Sequence, residues 1–120
     1  MFKNDLYSID SLEVSGDDIK AVIAIDPKHI IFTGHFPGQP VLPGVCTIEI
    51  LKELVNEARG STYALKEASQ MKFLSLVDPV QANVLHFQIT LSETDSGLAI
   101  NAQAALEDGT TTFKLKGILG

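Results

Sequence analysis

The 120-residue sequence has one cysteine, no tryptophan and two tyrosines. A single thiol, Cys46, excludes an internal disulfide and leaves no cysteine-rich metal site. Cations are in the minority: nine Lys and Arg against fifteen Asp and Glu give a formal net charge of −6. Phosphate binding draws on clustered lysine and arginine, so nucleic acid is not an expected partner. No apolar run approaches the roughly 18–20 residues that a membrane span needs. The opening Met1-Phe2-Lys3-Asn4-Asp5-Leu6 lacks the basic-then-apolar layout of a secretory leader. No membrane partner and a cytoplasmic location are therefore expected. Repeats and low-complexity tracts are lacking too. What remains, 45% hydrophobic and 20% charged, is the composition of a soluble folded chain. Its length suits one domain over residues 1–120 with a single core.

Proline is scarce, yet three of the five prolines stand within seven residues. They fall in Gly34-His-Phe-Pro-Gly-Gln-Pro-Val-Leu-Pro-Gly44. Proline fixes φ and has no N–H, so neither a helix interior nor a central strand can hold Pro37, Pro40 and Pro43. The segment reads as a stiff loop carrying one histidine, His35, into an apolar helix with a glutamate, Glu49. Two titratable side chains held in fixed relation are what general acid–base chemistry requires.

Period-2 alternation marks most of the remaining chain. A mixed segment, Tyr7 to Val14, turns at Gly16-Asp17-Asp18 into Ile19-to-Ile25, which alternates apolar and polar, so the two form a hairpin. Lys28 to Phe32 has room for one helical turn. Gly44 to about Ala58 is the one long helix, with Ile48, Leu51 and Val55 at helical spacing and Val45, Ile50 and Leu54 widening the apolar face. Glu49, Lys52, Glu53 and Asn56 form one polar stripe. Arg59-Gly60 gives a basic last turn and a glycine stop. Tyr63 to Val77 suits one strand, or two separated by a bulge. Leu85 to Leu91, Leu98 to Leu106 and Phe113 to Leu119 follow as strands, with Ser92 to Gly97 as a turn-rich link. Sequential strands usually pair with their neighbours. One helix must cover the whole sheet, so the sheet should curl around it in an α+β architecture.

The motif Gly-His-Phe-Pro-Gly-x-Pro-x-x-Pro-Gly, with a glutamate fourteen positions after its histidine, resembles the β-hydroxyacyl-ACP dehydratases of the FabZ/FabA type. Met71-Lys-Phe-Leu-Ser-Leu-Val-Asp-Pro79 is similar, more weakly, to a strand of the same family. The resemblance implies a hot-dog fold, an antiparallel sheet wrapped around one central helix. It also implies loss of water from (3R)-3-hydroxyacyl thioesters, borne on acyl carrier protein, to give trans-2-enoyl thioesters, without cofactor or metal. By the same resemblance His35 would remove the C2 proton, and Glu49 of a partner subunit would orient or protonate the departing hydroxyl. Gly44, at the helix start, would hold the thioester oxygen through its N–H, and Val45 and Phe36 would line the substrate site. A homodimer, or an assembly of dimers, is the implied state. Two positions depart from the family's pattern: Glu53 stands where glutamine is common, and the strand after the helix lacks a pair of arginines, leaving Lys72 and Lys66 as its cations.

Taken residue by residue, other readings stay open. The polar stripe headed by Glu49 is also what a solvated helix face looks like. Cys46 reads as a small buried hydrophobe, while His29 and His86 carry no motif, His86 lying on the polar face of its strand. A hot-dog thioesterase using Glu49 or Glu53 to activate water, or a non-catalytic partner subunit, are the competing functions.

Overall fold

A computed structural model describes residues 2–36 and 38–120; Pro37, one of the loop's three prolines, and Met1 lie outside the described residues. The hairpin forms as expected: β1 (Tyr7–Ser15) and β2 (Asp18–Ile25) pair antiparallel, joined at the Gly16 turn. After a four-residue helix α1 (Ile31–Gly34) comes α2 (Gly44–Arg59), then β3 (Leu65–Phe73), β4 (Val84–Thr94), β5 (Gly97–Leu106) and β6 (Thr111–Leu119). Gly60 ends α2 in the left-handed region at φ 61°, where it returns its N–H to the Asn56 carbonyl. A glycine takes that conformation without steric cost, which is why the helix stops there. No described helix is long and apolar enough to cross a membrane.

All six strands form one antiparallel sheet in the order β1-β2-β4-β5-β6-β3. Two expectations need correcting. β3 does not pair with β4; it crosses to the far edge and pairs with β6, while β2 pairs with β4. The 95–96 turn is also tighter than the anticipated link, because β4 runs on through Thr94 and β5 begins at Gly97. Between Tyr63 and Val77 there is one strand, and it carries two register shifts. The helical turn starts at Ile31, three residues later than the sequence suggested.

Alternation puts Ile19, Ile23, Leu85, Phe87, Ile89, Ile100, Ala104 and Leu115 on one face of the curled sheet. Ile50, Leu51, Leu54 and Val55 of α2 pack into that face and complete the core. Burial of such side chains is the main driving force for the fold. The cover is uneven. On the edge strand β3 the inward-facing Met71 and Phe73 stay partly exposed, so the sheet's apolar face runs open beside the start of α2. That opening is where the histidine loop lies.

Candidate active site

Backbone hydrogen bonds close the histidine loop on itself. Phe36 and Gln39 exchange both of their N–H to carbonyl bonds at 3.0 Å, and the Val41 N–H donates to the His35 carbonyl at 2.9 Å. The Leu42 N–H then donates to the Val77 carbonyl at 2.9 Å, which fastens the loop to the segment after β3. His35 itself is half-buried. Its ring stacks on Phe36 with centroids 4.2 Å apart, and its Nδ1 lies 3.1 Å from the Val41 carbonyl oxygen. A carbonyl only accepts, so Nδ1 carries the proton in this bond. That leaves the lone pair on Nε2, the atom able to act as a base.

His35 and Phe36 line an apolar cavity of about 550 Å³ together with Gly44 and Val45 at the start of α2. A volume of this size suits a small organic ligand or an acyl chain. The opposite wall is Met71, Phe73 and Phe113, residues that sequence reasoning did not assign to the site. They reach it only because β3 lies beside β6, a pairing that strand order along the chain does not reveal. Pro43 caps α2 without a side-chain acceptor, and the Cys46 and Thr47 N–H groups turn back to its carbonyl. Among the described residues, the Gly44 and Val45 N–H groups have no acceptor. Free N–H groups and the positive end of the helix dipole thus meet an apolar cavity, an arrangement that stabilises a developing oxyanion.

Gly44 has a steric reason to be glycine. An added Cβ would sit 2.7 Å from Cζ of Phe73, whose ring leans over the helix start and packs at 5.0 Å on Phe113. Gly44→Ala is therefore expected to cost about 1 kcal/mol, the low end of overpacking, because the half-exposed Phe73 ring can turn aside. The check is a double-mutant cycle by thermal unfolding. Gly44→Ala should be far milder in a Phe73→Ala background, because the clash it creates is with that ring.

Glu49 does not join this group. It is not among the cavity's lining residues, and its Oε1 pairs with the Lys52 ammonium at 2.7 Å on a partly exposed helix face. Within one chain the structure brings His35, Phe36, Gly44 and Val45 together and leaves Glu49 outside. An exposed pair of this kind is worth about 0–1 kcal/mol, so it holds Glu49 only weakly.

Glu53 is not part of a solvated stripe. It is buried, and it accepts the Phe2 N–H, the Lys3 N–H and the Tyr7 hydroxyl at 2.9, 2.9 and 3.0 Å. Burial, followed by the Glu53 charge, pushes the Tyr7 phenol far up, so it stays a proton donor to that carboxylate. Cys46 is buried as expected, and burial together with the Glu49 charge raises its thiol, which disfavours a nucleophilic thiolate. His86 lies half-exposed on the outer face, 3.7 Å from Glu107.

Comparison with known proteins bears on the family and the fold. The sequence pattern of a family described as "ApeI-like: ApeI dehydratase" matches residues 11–112. The chain is 32% identical over 93 residues to the 3-hydroxyacyl-[acyl-carrier-protein] dehydratase FabZ of Pseudothermotoga lettingae, covering 73% of this chain and 65% of that protein. It is 30% identical over 100 residues to the FabZ of Lactiplantibacillus plantarum, covering 78% of this chain and 67% of that one. The match thus spans about two thirds of these relatives' length. Among solved structures, the dehydratase heterocomplex ApeI:P from Xenorhabdus doucetiae superposes with a TM-score of 0.78 at 23% identity, covering 92% of this chain and 95% of that one. A hypothetical thioesterase with coenzyme A from Streptococcus pneumoniae superposes at 0.64 with 10% identity, covering 94% and 83%, a likeness of fold alone. A hot-dog fold, the histidine–proline loop at an apolar cavity and a pattern matching 102 of 120 residues lead to one statement: this chain belongs to the ApeI-like family of dehydratases related to FabZ.

Proposed function

We propose that the protein dehydrates (3R)-3-hydroxyacyl thioesters to trans-2-enoyl thioesters at a site completed by a second copy of the chain. The observation that carries this reading is His35: its Nδ1 proton is held by the Val41 carbonyl and its ring lines an apolar cavity that also holds the unpaired Gly44 N–H. In the reaction, Nε2 of His35 takes the C2 proton, and charge builds on the thioester oxygen against the Gly44 and Val45 N–H groups. The C3–O bond then breaks. The hydroxyl leaves as water carrying the C2 proton, which passes from His35 through the partner's Glu49, so both side chains end as they began.

The second copy is supported by exposed apolar surface. Ile30, Phe36, Val45, Phe73, Leu74 and Leu76 are all more than half exposed, Phe36, Val45, Phe73 and Leu76 line the cavity, and β3 is an open strand edge. Patches and edges of this kind are normally covered by a partner. The thioesterase reading loses one of its two candidate carboxylates, since the oxygens of Glu53 are taken by three donors.

Carrier protein, rather than coenzyme A alone, is favoured by an uneven charge distribution. On the outer face, Lys72 of β3 stands directly opposite Lys114 of β6, and Lys116 follows two residues on. With Gln70, Asn101 and Gln103 they line a groove of about 310 Å³. Among the described residues no carboxylate pairs with these three lysines. Like charges placed opposite one another across strands repel, and an acidic carrier surface relieves that repulsion. Reversing the three to glutamate should raise KM for a carrier-borne substrate roughly tenfold at low salt, leaving a short pantetheine thioester unaffected.

The direct test of the function is to mix the protein with a (3R)-3-hydroxyacyl thioester and follow enoyl absorbance. Free thiol without enoyl product would instead favour a thioesterase.

A further inference from the structure

The residues before β1 do more than lead into the sheet. Phe2 to Tyr7 fold into a turn in which the Asp5 and Leu6 N–H groups donate to the Phe2 carbonyl at 3.0 and 2.8 Å, and the Asn4 N–H donates to the Tyr7 carbonyl at 2.7 Å. One side of this turn is held by α2. Glu53, one turn beyond Glu49, receives three of the turn's donors on its two buried oxygens. Beside it Lys3 pairs with Glu57 at 2.7 Å. A buried carboxylate persists only where donors saturate it, and here they do.

The other side of the turn holds the approach to His35. Oδ2 of Asp5 lies 3.0 Å from Nε2 of His29, and the Leu6 carbonyl accepts the Asp26 N–H at 2.8 Å. The His29 side chain is 12% exposed, against 63% for Asp5. Its Nδ1 accepts the Ile31 N–H at 3.1 Å, which fixes the tautomer: Nδ1 is bare and Nε2 gives its proton to Asp5. Ile31 opens α1, and α1 runs directly into His35. Four residues of helix do not hold themselves together in water, so α1 needs outside support.

We infer that the turn of residues 2–7 is a clamp that sets the histidine loop against α2, with Glu53 and His29 as positioning residues at its two ends. The chain of contacts runs from α2 through Glu53, the turn, Asp5 and His29 to Ile31 and His35. This also gives Glu53 a reason to be glutamate. Glutamine offers one accepting oxygen and an NH₂ group that repels the remaining donor, whereas the carboxylate takes all three. Neither positioning residue lines the cavity. Their influence on turnover, which rests on the dehydratase reading, passes entirely through the placement of His35.

The test compares Glu53→Gln, His29→Ala, His29→Asn and Asp5→Ala with the unaltered protein by two readouts. Amide exchange reports the clamp whatever the reaction. Glu53→Gln, His29→Ala and Asp5→Ala should speed exchange over residues 30–36 roughly tenfold while β4 stays protected. Turnover of a 3-hydroxyacyl thioester should fall roughly tenfold in kcat with KM nearly constant, as expected for a misplaced base. The side-chain oxygen of His29→Asn can accept the Ile31 N–H in place of Nδ1 but leaves Asp5 without its partner, so this variant should match Asp5→Ala rather than the unaltered protein. If Glu53→Gln fails to fold, His29→Ala and the exposed Asp5→Ala still carry the test. Unchanged exchange over 30–36 in those two variants overturns the clamp. So does a rise that spreads equally to β4, which would mark plain destabilisation. If the unaltered protein forms no enoyl product at all, the dehydratase reading fails, and the exchange data alone decide the clamp.

Discussion

Enoyl thioester formation is expected to fall about 10²–10⁴-fold in His35→Ala, the range that one positioned general base contributes. That corresponds to about 3–5 kcal/mol of barrier. KM should change little, because the apolar walls from Met71, Phe73 and Phe113 and the start of α2 do not depend on the imidazole. The loop should also survive, since the Val41 N–H to His35 carbonyl bond and the Phe36–Gln39 pair are backbone contacts. The measurement is enoyl absorbance under saturating thioester, with circular dichroism to verify the fold. His86→Ala is the matched control: that ring lies half-exposed on the outer face, and its removal should leave turnover intact. A His35→Ala protein that kept a third of the normal kcat would rule out His35 as the base.

Much of this site was legible in the sequence because the loop is locally encoded. Prolines and glycines restrict the backbone without help from the rest of the chain, so the loop, the following helix and its glycine stop could be read directly. The strands of the core were legible for a similar reason: Leu85 to Leu91 and Leu98 to Leu106 alternate strictly, and burial follows that alternation. Pairing was not legible. A period of two says which residues face inward but not which strand lies beside which, and so β3 was expected next to β4 rather than β6. Half the cavity wall went unseen with it, since Phe73 and Phe113 meet only across that pairing.

Glu53 was misread for a related reason. Helical spacing placed it on a polar stripe, and nothing local revealed that residues 2–7 would fold back over that stripe and bury it. Lys72, Lys114 and Lys116 repeat the lesson at the surface. Lys72 lies more than forty positions before Lys114 and Lys116 along the chain, and only the β3–β6 register makes one basic face of the three, against a net charge of −6.

Activity should reappear when two inactive proteins, His35→Ala and Glu49→Gln, are allowed to exchange subunits. Proton removal at C2 and departure of the hydroxyl at C3 take place on adjacent carbons, so both groups must come within hydrogen-bond reach of one substrate. In a single chain they do not share a cavity: His35 lines it, while Glu49 faces Lys52 at 2.7 Å on another side of α2. In the proposed two-fold dimer, each chain's Glu49 would complete the site at the other's His35. In a mixed dimer one site then carries both defects and the other carries neither. Random exchange makes half of the dimers mixed, with one intact site of two, so about a quarter of normal activity is expected. Native mass measurement would establish that exchange has occurred. Mixed dimers without recovered turnover would sink the shared site, whereas a fully active Glu49→Gln homodimer would remove Glu49 from the reaction and leave His35 to act alone.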